Sequence, residues 1–406
     1  MGVKQASTGA GRASSSSRRL DSLTGLRFVA AMTVVLYHYN LLLAYPAPWP
    51  LLRGQGRSAV GLFFVLSGFV LTYTYHHWFE AGHDRLRAWS FARARFARVY
   101  PMHVAALLMM TTLILYLRWS YPAVVRGHEG AGFTEGVMLR SWLTNLFLIQ
   151  VYFPTRAHEN LWNTPAWSIA CEAVFYALFP FFLAHCLRYF KTVASLAAIG
   201  VALYTVELSA ALVLAAWLCR LPDNVRDTAA DFIGYRLPPF RVWEFLIGCV
   251  LGALFLLSTS QSHPEANWIG RSHLRNGLLL GGIAWVAAAA LVGTGLKGDP
   301  ATVVGFLQLY ALYTPGFGAI ILCLAGGKTF LSPLLENRVI LLLGEASYSL
   351  YIIHWIPLYA LVYARGLGTA LPVSGPGAAI TGSVGMSLIF WRTIEVPLRK
   401  TLRGRG

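Results

Sequence analysis

The sequence is short of charge. Asp, Glu, Lys and Arg together make up 12% of its 406 residues, against ~25% in soluble globular chains. That shortage excludes an ordinary soluble enzyme and a disordered protein. Acidic residues are scarcer than basic ones: 17 Asp and Glu stand against 33 Lys and Arg, a formal net charge of +16. Only five cysteines occur (Cys171, Cys186, Cys219, Cys249 and Cys323), and no C-x-x-C pair is among them. A disulfide-stapled secreted module is therefore excluded, and free, mostly buried thiols are expected. There is no G-x-S-x-G elbow, no internal repeat and no alternating apolar strand pattern. These absences argue against a Ser/His hydrolase and against a membrane barrel.

What the chain has instead is apolar length. Hydrophobic residues reach 56%, and many continuous runs suit a ~30 Å hydrocarbon core. The expectation is an all-α, polytopic transmembrane helix bundle of about ten spans. Their approximate limits are 23–44, 58–79, 100–117, 166–186, 192–219, 240–257, 277–296, 303–325, 340–364 and 372–392. The run 141–153 is apolar but short, and reads as an interfacial or re-entrant helix. Residues 1–20, rich in Ser, Gly, Ala and Arg, read as a basic cytoplasmic tail, residues 21–400 as one membrane domain, and 401–406 as a second basic tail. The first apolar run is too long for a signal-peptide core and lacks a cleavage site.

The excess positive charge is a topology signal rather than a mark of nucleic-acid binding, since no Lys/Arg stripe lies on a polar domain. With the N-terminus inside, inner segments hold 19 of the 33 cations and outer segments 12, with Arg27 and Arg392 inside helices. Both termini are thus expected in the cytoplasm of a cell carrying this protein in its cytoplasmic (inner) membrane.

Ionised groups inside spans cost at least ~2.5–3.5 kcal/mol on insertion scales and need a reason. Arg27 and His38 lie eleven residues apart on the first span, ~16 Å of rise and nearly the same azimuth. The spacing predicts that both point into one cavity; a snorkelling anchor for Arg27 and a core histidine for His38 are the bland alternatives. Arg93, Arg95 and Arg98 in FARARFARVYP offer guanidinium forks for phosphate, or simply mark the inner face. Glu172, beside Trp167, Ser168 and Tyr176, needs a partner; Arg241 and Glu244, one turn apart, form a local pair or a site. Ser67 and Gly68 read as small packing residues. Ser347, Tyr348, Tyr351 and His354 fall within two turns in LGEASYSLYIIHW. The cluster His76, His77, Glu80, His83 and Asp84 matches no metal spacing, and no metal site is expected.

Six ordered blocks, LTGLRFVAAMTVVLYHY, FFVLSGFVLTY, FARARFARVYP, WSIACEAVFY, FRVWEFLIGCVLG and LGEASYSLYIIHW, resemble the acyltransferase type 3 family of integral membrane O-acyltransferases. The resemblance runs from about residue 21 to 400. It implies His38 as catalytic base with Arg27 as its motif partner, and an acyl-CoA donor held near Arg95 and Arg98, Arg93 being slightly off pattern. It also implies that Arg27 and Glu172 belong with His38 to the catalytic set, and functional positions at Gly344, Ser347, Tyr348, Tyr351 and His354, and the chain resembles members lacking a fused hydrolase-like domain. Ser67, Trp167, Tyr176, Arg241 and Glu244 complete the expected channel or acceptor site. The expected chemistry is transfer of an acyl group, acetyl first, from acyl-CoA to a sugar hydroxyl. The acceptor is a surface polysaccharide, a lipid-linked sugar or a glycosylated natural product such as a macrolide. A transporter or flippase for a polar lipid or sugar is the alternative, and inverted repeats would favour it.

Overall fold

The computed structural model describes residues 20–43, 55–123, 125, 134–155, 158, 161–260, 270–295, 311–367 and 375–403. The described residues form helices and no strands. In chain order the main ones are α1 (Asp21–Leu43), α2 (Gly56–Phe79), α3 (Arg85–Ser120), α4 (Glu135–Leu146), α5 (Ala166–Tyr189) and α6 (Val193–Leu218). There follow α7 (Pro238–Thr259), α8 (Ser272–Gly295), α9 (Thr314–Gly326), α10 (Arg338–Glu345), α11 (Ser347–Ile353), α12 (Trp355–Gly366), α13 (Gly375–Phe390) and α14 (Val396–Arg403).

Among the described residues, seven helical stretches are long and apolar enough to cross a membrane, and the bent pair α10 with α11–α12 makes an eighth span if it is counted as one. The first seven expected spans coincide with these stretches. The last of the seven long helices before the bend, α8, covers the run expected at 277–296 but for its final residue. Of the run expected at 303–325, residues 303–310 lie outside the described residues, and α9 covers 13 residues. The run 372–392 appears as the 16-residue α13, continued by a wider π-type turn, Trp391–Glu395. The tails 1–19 and 404–406 also lie outside the described residues.

Two elements differ in form from expectation, each for a local reason. α3 is 36 residues long, or ~54 Å at 1.5 Å per residue, so it outruns the hydrocarbon core and carries the arginine cluster as its own first turns. Asp84 caps it, accepting from the backbone N–H groups of Leu86 at 2.8 Å and Arg87 at 3.2 Å. These bonds hold the Asp84 carboxyl below its usual range. The expected span 340–364 is bent by 55° between α10 and α11, and breaks again at His354, which ends α11 and precedes α12.

The short run 141–153 belongs to α4 and a 3-10 turn, Gln150–Tyr152. Its polar side chains face protein: Trp162 Nε1 donates to Ser141 Oγ at 2.9 Å and Gln150 Nε2 to the Ala166 carbonyl at 3.2 Å. Non-spanning backbone in a bundle survives where such partners satisfy it.

At the centre, α2 crosses α7. Gly68 and Gly248 sit at the crossing, where a Cβ on Gly68 would overlap the Phe245 carbonyl and one on Gly248 the Val65 carbonyl. Small residues are what allow such backbone approach in membranes. Large apolar side chains such as Leu115, Phe181, Val213 and Leu280 point outward, as a lipid-facing surface requires.

Candidate active site

Two cavities flank the centre of the bundle and share Val60 and Tyr351 as walls. The first, about 350 Å³, is lined by Arg27 of α1, Ser67 and Tyr75 of α2, Arg95 and Arg98 of α3, Glu172 and Tyr176 of α5, and Ser347 and Tyr348 of α11. The second, about 470 Å³, is lined by Tyr37 and His38 of α1, Arg57 of α2, Trp167 of α5, Asp231, Tyr235 and Arg236 ahead of α7, and Trp355 of α12. The first lies toward the N-terminal end of α1 and the C-terminal end of α2. The second lies toward their other ends, so the cavities face opposite ends of the bundle.

This arrangement corrects one expectation. Arg27 and His38 share an azimuth on α1, but they do not share a cavity: Arg27 lines the first and His38 the second. The reason is their ~16 Å axial separation, into which α11 inserts Tyr351. The Tyr351 hydroxyl meets Ser168 Oγ at 2.8 Å and donates to the Pro165 carbonyl at 3.2 Å.

In the first cavity, charges are opposed. The Tyr176 hydroxyl donates to Glu172 Oε2 at 2.5 Å, one turn away. Arg95 Nη2 donates to the Tyr75 hydroxyl at 3.0 Å and the guanidinium sits over the Tyr75 ring at 5.3 Å. Arg27 feels the carboxylates of Glu395 and Glu172 and the repulsion of Arg98. Tyr348 is fixed by a 2.7 Å bond to the Val99 carbonyl. Arg95 Nε and Ser347 Oγ are buried without a hydrogen-bond partner among the described residues. Buried unpaired polar atoms are costly, and a polar ligand in this cavity would relieve them. Arg93 points elsewhere: it is exposed and does not line the cavity, because two residues from Arg95 is 200° around the helix. Arg98, three residues on, shares the Arg95 face.

In the second cavity, His38 Nδ1 lies 2.9 Å from Nε2 of the fully buried His354. His354 Nδ1 lies 2.8 Å from the Tyr351 carbonyl. A carbonyl only accepts, so that nitrogen carries the proton and, for two neutral rings, His354 Nε2 accepts from His38 Nδ1–H. His38 Nε2 is then left with its lone pair. The fold brings these two histidines together from positions more than 300 residues apart, His354 lying at the break between α11 and α12.

Arg241 and Glu244 belong to neither cavity. They form a fully buried bidentate pair at 2.9 and 3.0 Å, with the guanidinium between the rings of Phe64 at 5.3 Å and Tyr235 at 5.0 Å. The pair packs under Gly61 of α2 and braces the wall behind Trp167. The histidines of the α2–α3 turn are dispersed: His76 faces Glu80 at 3.7 Å while His83 stacks on Phe181 at 4.5 Å. Among the described residues no three His, Cys, Asp or Glu side chains converge as metal ligands.

Tyr37, Arg57, Asp231, Tyr235, Arg236 and Trp355 were not singled out by sequence. Arg57 and Arg236 sit at span ends, where a cation reads as topology. The one available signal is Asp231, an acid next to the apolar run that opens α7.

Comparison with known proteins is consistent with this geometry. Residues 20–392 match the family profile described as an acyltransferase domain. The chain is 26% identical over 351 residues to the acyltransferase MdmB of Streptomyces mycarofaciens, covering 83% of this chain and 79% of that one. It is 23% identical over 391 residues to the peptidoglycan O-acetyltransferase OatA of Listeria monocytogenes, covering 95% of this chain and 56% of that one. The O-acetyltransferase OatA of Staphylococcus aureus matches at 25% over 409 residues, with 95% and 58% covered. The chain therefore spans a little over half the length of these OatA relatives. No solved structure matches it.

Proposed function

The chain belongs to the membrane acyltransferase family, and from that premise we propose that it transfers an acyl group, acetyl foremost, from acyl-CoA to a hydroxyl of a sugar-type acceptor, with His38 as general base. The observation that carries the reading is the pairing of the two cavities across Tyr351, one basic and one holding a histidine with an available lone pair. MdmB is named an acyltransferase and the OatA relatives O-acetyltransferases, the Listeria protein acting on peptidoglycan. These names support acetyl as the group and a glycan as the acceptor class.

In this reading the first cavity takes the donor. Arg95 and Arg98, joined by Arg27 instead of Arg93, meet the phosphates of coenzyme A through charge-assisted bonds, and Ser347 and Tyr348 line the path of the pantetheine arm. Glu172, clasped by Tyr176, offsets the mutual repulsion of the cations when no donor is bound. Both Arg27 and Glu172 thus serve donor binding, away from the base. The thioester reaches toward the Tyr351 wall, where the acceptor arrives from the second cavity. His38 Nε2 removes the hydroxyl proton as the oxygen attacks the thioester carbonyl. The C–S bond then breaks, and the departing thiolate takes the proton back from His38. The His354 ring keeps His38 in the tautomer this requires. The polytopic bundle is proposed to reside in the cytoplasmic membrane, with the donor cavity on the cytoplasmic side.

The deciding experiment uses purified full-length protein and radiolabelled acetyl-CoA and longer acyl-CoAs, comparing wild type with His38→Ala. General-base removal predicts a fall of ~10²–10⁴ in transfer with donor binding kept. Unchanged turnover in His38→Ala overturns the assignment of the base, and failure of the folded protein to bind any acyl-CoA overturns the donor.

A further inference from the structure

The second cavity contains more polar machinery than a base needs. Asp231 bridges two guanidiniums, Arg57 at 2.9 Å and Arg236 at 2.8 Å. Arg57 Nε donates to the Tyr37 hydroxyl at 3.3 Å, and its guanidinium lies over the Tyr235 ring at 4.9 Å. Tyr37 and Trp355 in turn flank the His38 ring, each with its ring centre 5.2 Å away. The Trp355 indole is 7% exposed and its Nε1 donor has no partner among the described residues. An unpaired indole N–H in a cavity wall is costly unless something occupies the cavity.

From this we propose that the Arg57–Asp231–Arg236 cluster, with Trp355 Nε1, is a saccharide-recognition site that presents one hydroxyl of a sugar ring to His38. The proposal rests on the acyltransfer reading above and adds to it the groups that choose the acceptor. The chemistry is that of polyhydroxylated rings. Tyr37 and Trp355 offer flat apolar faces for the C–H side of a pyranose, while Tyr235 backs the Arg57 guanidinium. A carboxylate held between two guanidinium forks offers adjacent acceptors and donors, which is how neighbouring hydroxyls are read. The volume, about 470 Å³, lies within the ~300–1,000 Å³ of small-ligand pockets with few fixed polar groups. Arg57 opens α2, at the end away from Tyr75, and Asp231 lies in the turn ahead of α7; neither lines the first cavity. The cluster therefore bears on acceptor choice and not on donor capture.

The test measures binding separately from catalysis. Wild-type protein in nanodiscs is titrated by saturation-transfer NMR with methyl glucoside and a complete set of its monodeoxy analogues, and Asp231→Asn and Tyr37→Phe are compared. The expected result is that wild type loses tenfold or more in affinity for at least one deoxy analogue. Asp231→Asn and Tyr37→Phe weaken the parent glucoside and flatten that discrimination. Tyr37→Phe removes a single hydroxyl, so it keeps the comparison available if the charge change unfolds the protein. Identical discrimination in wild type and Tyr37→Phe, or no saccharide binding by wild type, overturns the proposal. His38→Ala separates the two levels: if it still binds the glucoside while transfer is lost, both stand. If it binds and transfer persists, the base assignment fails and the recognition site stands.

Discussion

At the scale of the single residue, the hydrogen-bond chain Tyr351 carbonyl–His354–His38 decides which nitrogen of His38 can act. His354 lines neither of the two cavities and touches His38, so its effect passes through His38; it is a positioning residue. His354→Gln retains an acceptor toward His38 Nδ1, whereas His354→Leu removes it and leaves a buried N–H unpaired, at ~1–3 kcal/mol. His354→Leu is therefore expected to lower kcat by tenfold or more and to move the acid limb of the pH–rate profile, with donor KM little changed. His354→Gln should recover part of both. Equal loss of kcat in the two variants with an unmoved pH profile would mean that His354 only packs. Arg95 and Arg98 predict the opposite split. Arg95→Gln or Arg98→Gln should raise the donor KM several-fold, more steeply at low salt than at high salt, because exposed charge attraction is screened within ~10 Å at 0.1 M. Arg93→Gln should change the donor KM by less than twofold. Sequence singled out His38, His354 and the arginines, because ionisable groups stand out in apolar runs. It could not separate Arg93 from its neighbours without the face α3 turns inward, and it gave no reason to link His38 to a histidine over 300 residues away.

Among the elements, helix existence was legible nearly everywhere, because run length alone distinguishes a span. Helix shape was not. Nothing in composition shows that the arginine cluster and the third span are one 36-residue helix, since polar and apolar halves read as loop and membrane. At the bend in α10–α12, Gly344 packs against the Thr24 backbone of α1, a contact invisible along the chain. The α2–α7 crossing makes a sharp forecast. Gly68→Leu or Gly248→Leu forces a side chain into a facing carbonyl and should cost at least ~1–3 kcal/mol, read as a lower midpoint in thermal unfolding and loss of monodispersity in detergent. Gly281→Ala on α8 meets open space and should leave the midpoint unchanged or slightly raised. A second element-level forecast concerns the clasp at the base of α1. Ser22 Oγ donates to Glu336 Oε1 at 2.6 Å and Lys328 pairs with the same carboxylate. Burial raises the Glu336 pKa, but the bonds from Lys328 and Ser22 outweigh it and hold the carboxyl below its usual value. A depressed carboxyl stabilises the fold above its unfolded pKa of ~4.3 and loses that contribution as pH falls through the lower folded value. Hydrogen exchange in residues 328–337 should therefore accelerate below pH ~4, beyond the intrinsic pH effect, in wild type but not in Glu336→Gln.

Over the whole molecule, the division into two cavities is what the linear sequence hid most completely. An R-x10-H pair on one helix face suggests one chamber, and only the insertion of Tyr351 from α11 makes two. In the proposed mechanism the reaction occurs at that wall. A thioester brought from one end of the bundle and a hydroxyl brought from the other then meet beside Tyr351, and an acyl group that fills the gap there leaves no room for water. The Tyr351 hydroxyl is held by Ser168 Oγ and the Pro165 carbonyl, so the ring is fixed at both ends. Tyr351→Phe keeps the ring and loses the tether; transfer should fall by a few-fold with the ratio of transfer to hydrolysis nearly preserved. Tyr351→Ala opens the wall, and acyl-CoA hydrolysis without acceptor should rise relative to transfer by tenfold or more, since an opened site admits competing water. Following labelled acetate and labelled product in the same reaction gives that ratio directly. An unchanged ratio in Tyr351→Ala would mean that the cavities communicate by another route and that the wall has no part in keeping the acyl group from water.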